Sequence, residues 1–153
     1  MSEQIKSKFL GDFGEYLLTW HLRSKFGITA SLVKTEGIDL LCRDEEGKVF
    51  PEGKKGKLIA VSIKTRERRK DLAHKYVNVA WDKIKKASDK WKAEPYFAYV
   101  RIVPDKGCIT FFLLPFDTAK NSKNFSVVKA EKEKSKDFPF YMRFRDYKRR
   151  DNW

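Results

Sequence analysis

The chain has 153 residues, 41% hydrophobic and 14% aromatic against 36% charged, the size of one domain that buries a core without disulfide staples, and this excludes wholesale disorder. Its 34 Lys and Arg against 21 Asp and Glu give a net charge of +13, so the expected partner is nucleic acid rather than anionic membrane, no basic amphipathic helix with a bulky apolar face being evident. Apolar runs such as 109–115 fall far short of the ~20 residues of a membrane span, and the polar N-terminus is not secretory, so a soluble cytoplasmic protein is expected.

Ile5, Phe9, Phe13, Leu17 and Trp20 recur at three- and four-residue steps, which predicts an amphipathic helix over 3–26 with Ser2 as N-cap and Gly27 as its end. Gly11 and Gly14 fall inside it, each disfavoured by roughly 1 kcal/mol against alanine, so backbone should approach sheet or ligand there. Glu15 is then either a solvated charge or an acid aimed at a site. His21 and His74 carry no metal-binding spacing, and Cys42 and Cys108 stand far apart without a C-x-x-C, so structural thiols are expected and neither zinc nor a disulfide framework is suggested.

Strands are predicted over 28–34 and 38–43, then a hairpin turn at 44–47 into a short strand at 48–50. Residues 51–57 form a glycine- and lysine-rich loop in which Lys54, Lys55 and Lys57 either meet phosphate or solvent. The strand at 58–66 completes an antiparallel meander. There Ile59, Val61 and Ile63 share one face while Ser62 and Lys64 share the other. Lys64 to Lys70 then holds five basic residues in seven.

A second helical stripe runs through Val77, Ala80, Trp81, Ile84, Ala87, Ser88 and Trp91, with Lys83, Lys85, Lys86 and Lys90 opposite and Pro95 as the stop. Strands at 96–103 and 108–114 follow, turned at 104–107. Beyond 116 the pattern weakens. Residues 126–130 suit an edge strand and 131–137 a charged linker, while 138–145 is aromatic and basic together, either a stacking surface or an extra strand or dimer contact.

An acid after Gly37, a hairpin, and a strand ending Lys64-Thr65-Arg66 resembles the core of the PD-(D/E)XK nuclease superfamily. The upstream Gly11-Asp12-Phe13-Gly14-Glu15 looks like the helical glutamate of archaeal Holliday-junction resolvase-like endonucleases. What the resemblance implies is an α/β, restriction-endonuclease-like αβββαβ core, a mixed sheet flanked by helices. It divides one domain, 1–153, into a nuclease-like core at 1–115 and a basic, aromatic extension at 116–153. Ser62 stands where the family pattern has Glu or Asp, two residues before the lysine.

By the same resemblance Glu15, Asp39, Ser62 and Lys64 are the catalytic set. Asp39, Glu15 and the Ile63 carbonyl would hold Mg²⁺ or Mn²⁺, with Glu36 as the nearest replacement for the missing acid, and Lys64 would orient the attacking water. Arg66, Arg68, Arg69, Lys70, Lys54 and Lys55 are the candidate DNA contacts. Two functions follow: a metal-dependent DNA endonuclease, structure-selective and homodimeric like the resolvases, or a nuclease-fold domain that binds nucleic acid without cutting. An RNA-binding domain is disfavoured because no RNP-type aromatic motif is present.

Overall fold

The computed structural model describes residues 2–50, 52–67, 79–103, 108–121 and 141–144. Helix α1 spans Glu3–Phe26. The Ser2 hydroxyl accepts the Ile5 N–H at 3.3 Å, and Gly27, at φ 64°, turns the chain left-handed while the N–H groups of Gly27 and Ile28 close on the carbonyls of Arg23 and Leu22. Both expected caps are thus in place.

Strands β1 (Thr29–Thr35), β2 (Ile38–Arg43) and β3 (Leu58–Glu67) form the expected antiparallel meander. Helix α2 (Trp81–Lys90) then carries the chain over so that β4 (Glu94–Val103) lies parallel to β3. β5 (Cys108–Pro115) and β6 (Tyr141–Phe144) add antiparallel, and α3 (Phe116–Asn121) lies between them in sequence. Among the described residues the sheet has six strands in the order β1-β2-β3-β4-β5-β6. The run α1-β1-β2-β3-α2-β4 is the expected αβββαβ order, and the sheet is mixed and flanked by helices. β6 supplies the extra strand for which the aromatic 138–145 segment was one reading; residues 68–78, 104–107, 122–140 and 145–153, and the expectations that fall on them, lie outside the described residues.

Leu18 and Leu22 of α1 pack on Leu40, Ile59, Val61 and Phe111 on one face of the sheet. On the other face Phe97, Tyr99, Phe112 and Leu114 pack with Trp81, and Ala87 of α2 meets Ile38 and Ala60. Burying apolar surface on both faces is what gives β3 and β4 their nearly continuous runs of hydrophobic residues.

Three expectations are corrected. Of the stripe through Ile5, Phe9, Phe13, Leu17 and Trp20, only Leu17 is buried; the inward face of α1 is Gly14, Leu17, Leu18, His21 and Leu22. No strand forms at 48–50, because the buried Asp44 carboxylate accepts the N–H groups of Lys48, Val49 and Phe50 at 2.8 to 3.0 Å and so takes the place of a neighbouring strand. Finally, α2 stops at Lys90 and Pro95 lies within β4.

Candidate functional site

β2 and β3 stay in register as far as Leu40↔Val61. One step further the pairing ends, with Asp39 the next residue of β2 and Ser62 the next of β3. Across the opening the Asp39 Oδ2 accepts the Ile63 N–H at 2.7 Å, so the carboxylate lies in the plane of the sheet as a surrogate for the missing strand acceptor. In a strand the N–H and C=O of one residue leave on the same side, and the Ile63 carbonyl therefore faces the same opening.

Helix α1 reaches this place because of Gly14. A β-carbon there would overlap the Thr65 hydroxyl, so only glycine lets the helix come down onto β3, and the next residue, Glu15, is delivered to Asp39. Gly11 has no such reason, since a β-carbon there would meet nothing within 4 Å.

The two carboxyl groups share a hydrogen bond, with Glu15 donating. Burial, then the charge of Asp39 and that of Asp12, push the Glu15 carboxyl up to about 7, while Lys64 opposes the shift. Burial also raises Asp39, against the Ile63 N–H, Lys64 and Glu15. Near neutral pH the pair thus holds a proton it would shed if positive charge were brought between its oxygens. Among the described residues no three His, Cys, Asp or Glu side chains converge. Two carboxylates and a main-chain carbonyl nonetheless fit a hard divalent cation, which commonly takes one or two protein carboxylates and fills its shell with water and phosphate.

Ser62 is buried, 6% exposed, and its register partner on β4 is Phe97. Lys64 is half-buried beside it. Glu36 is not brought to the pair: it is exposed and bonded to Lys83 of α2 at 2.7 Å, and that lysine holds its carboxyl below the ordinary range. Lys54 is bonded to Glu94 at 2.9 Å where β4 begins, and Lys55 lies along Gly47. Both are at the start of β3, about 20 Å of strand from Lys64. Arg66 is half-buried and donates to the Thr65 carbonyl at 2.8 Å, whereas Arg68, Arg69 and Lys70 lie outside the described residues.

Two residues at or near the site are not evident from sequence. The Thr65 hydroxyl is buried under Gly14 with no hydrogen-bond partner among the described residues; its pairing with an in-helix glycine was the available signal. Asp44 had none, because an Asp at a turn is ordinary and its three backbone partners appear only in the folded chain. His21 is a core residue stacked on Phe111 at 5.3 Å and edge-on to Phe26 at 5.7 Å. Cys42 is buried, and burial followed by Asp44 pushes its thiol up to about 12, which makes it structural and unreactive.

No family model matches the chain, and no curated protein matches it. Among solved structures it is similar to Hjc of Archaeoglobus fulgidus, described as a Holliday junction resolvase from an archaeal hyperthermophile, at 18% identity over 71% of this chain and 74% of that one with a TM-score of 0.46.

Proposed function

We propose that the chain is a divalent-metal-dependent endonuclease acting on DNA. The observation that carries this reading is the Glu15–Asp39 pair, two carboxyl groups from different elements forced together where β2 and β3 part, with Lys64 alongside. Bringing acids together costs free energy that a purely structural role would avoid, and perturbed carboxyl pairs of this kind mark sites where charge is bound or moved.

Asp39, Glu15 and the Ile63 carbonyl would hold Mg²⁺ or Mn²⁺, which on binding supplies Lewis acidity toward a phosphoryl oxygen and a more acidic water. Asp39 is fixed by the Ile63 N–H and cannot swing away. Glu15 must give up its proton to take part. Lys64 then balances charge and orients the attacking water. Arg66 stands two residues further along β3, where a phosphate of the bound strand would lie, and a net charge of +13 draws DNA to the surface.

A second reading has its own support: Ser62 puts a neutral, buried hydroxyl where the nuclease pattern has an acid, which suits a domain that binds DNA without cutting it. Cleavage of a labelled panel of four-way junctions, flaps and plain duplexes with Mg²⁺ and with Mn²⁺ decides between the two. Cutting that is lost in both Asp39→Ala and Lys64→Ala, with DNA binding retained, is expected. Binding with no cutting of any substrate under either metal would leave the binding module.

A further inference from the structure

On the face of the sheet opposite α1, helix α2 and the turn between β1 and β2 enclose a cleft of about 300 Å³ lined by Thr35, Glu36, Lys83, Lys86, Ala87 and Lys90. Gly37 sets the approach. It stands at φ 96°, and a β-carbon there would overlap the Lys83 carbonyl, so the turn lies directly against the helix. Lys83, Lys86 and Lys90 follow one another at steps of three and four, which puts all three on the side of α2 that borders the cleft. Glu36 is the one carboxylate in the lining. It is bonded to Lys83 at 2.7 Å, and after Lys83 the charges of Lys86 and Lys90 also hold its carboxyl below the ordinary range. Lys85 pairs with Asp89 on the same helix, whereas Lys86 and Lys90 are in no ion pair among the described residues. Three cations therefore surround a single anion.

We propose that this cleft receives a phosphate of the DNA backbone and that Glu36 occupies it in the free protein as an internal stand-in for that phosphate. The ion-paired carboxylate marks where a phosphodiester oxygen would sit, and the Thr35 hydroxyl adds a donor. Lysine meets phosphate as a point charge on a flexible stem rather than through a fixed fork, so the three ammonium groups suit a backbone read without regard to sequence. The Glu36–Lys83 pair is exposed on both sides, and exposed pairs are weak enough for a polyanion to displace. The place is also right. β2 runs antiparallel to β3, so the turn before β2 lies at the end of the sheet where β3 finishes with Lys64 and Arg66. Glu36 precedes Asp39 by three residues, ~10 Å of chain at most, a length over which one DNA strand places about three phosphates. A strand held in the cleft would therefore pass the Glu15–Asp39 pair. The inference rests on the reading of the chain as a DNA-binding protein and holds whether or not that DNA is cut.

Fluorescence anisotropy of a labelled DNA duplex with the full chain, in a salt series without metal, is the test. Lys86→Ala and Lys90→Ala together should weaken binding roughly tenfold and flatten the dependence of log affinity on log salt by about 1–2. Glu36→Gln should do the reverse and tighten binding about threefold to tenfold. The gain should exceed that of Glu46→Gln, which removes the same charge from an exposed pair with Lys48 at 2.9 Å beyond the other end of β2, and it should vanish when Lys86 and Lys90 are alanine. All these side chains are exposed, so circular dichroism should stay unchanged. Lysine variants that bind duplex as wild type does, or a Glu36→Gln gain no larger than that of Glu46→Gln, overturn the site and leave the DNA reading intact. A wild type that binds no duplex overturns both, and pyrophosphate binding in calorimetry would then assign the cleft to a free phosphate compound.

Discussion

Glu15 has a carboxyl whose raised titration makes stability depend on pH. Its carboxyl titrates at about 7 in the folded chain against an ordinary 4.5, so folding favours the protonated form. That contribution to stability is complete below 4.5 and is lost as pH rises through about 7. Without metal, Glu15→Gln should remove that loss, so the melting temperature of the variant relative to wild type should climb between pH 5 and pH 8. A constant difference across that range would show that the Glu15 carboxyl is not raised in the folded chain. Divalent-metal affinity should move the opposite way. It should strengthen with pH up to about 7 to 8 as the Glu15 proton is released, which calorimetry in buffers of different ionisation heat detects. At Ser62 the expectation is double. Ser62→Glu adds an anionic ligand and should tighten Mg²⁺ binding, yet it places a carboxylate against Phe97 and should lower the melting temperature without metal. Tighter binding with no gain in cleavage would mean the missing acid is not what limits the site.

Two in-helix glycines on α1 face opposite fates under one substitution. Gly11→Ala meets open space and should stabilise by roughly 0.5–1 kcal/mol, the ordinary helix preference. Gly14→Ala drives a methyl group into Thr65 and should destabilise by about 1–3 kcal/mol, with Thr65→Ala restoring much of the loss. Urea denaturation of the four chains checks both. The loop after β2 makes a similar point. Asp44→Ala strands the buried N–H groups of Val49 and Phe50 and the part-buried one of Lys48 and should cost about 1–3 kcal/mol. Although burial would raise Asp44, the N–H groups of Phe50, Val49 and Lys48 outweigh it and hold the carboxyl below its ordinary value, so this stability is present at neutral pH and lost on acidification. The caps of α1, the meander and the crossing helix were legible in the sequence, because each rests on local pattern or on strand alternation, whereas the meeting of Asp39 with Glu15 was expected only from the resemblance to the nuclease superfamily. The facing of α1 was not. That helix is apolar on two sides, and the larger side chains of the outer stripe outweigh the Leu-rich inner one when only spacing is read. The substitute strand formed by Asp44 was equally hidden, since a side chain taking backbone partners leaves no period.

At the scale of the molecule, charge and topology set the remaining expectations. If the basic run that begins at Lys64 grips DNA, Arg66, Arg68 and Arg69 changed together to Ala should weaken binding alike on all sequences. The dependence of log affinity on log salt should then flatten by about 0.9 for each phosphate the protein ceases to neutralise. Filter binding across a salt series reads this, and an unchanged slope would assign the run to solvent. The order of the sheet bears on how the chain reaches its fold. Among the described residues every strand is hydrogen-bonded only to its neighbours in sequence, so the sheet can grow outward without threading one segment past another, and β3 with β4 is the first pairing that must wait for a long closure, β5 with β6 being the second. Glu15, Asp39, Ile63 and Lys64 all precede that closure. The half that carries the candidate site can therefore assemble while the second half is still being made, and substitutions that slow folding should cluster along the β3–β4 seam.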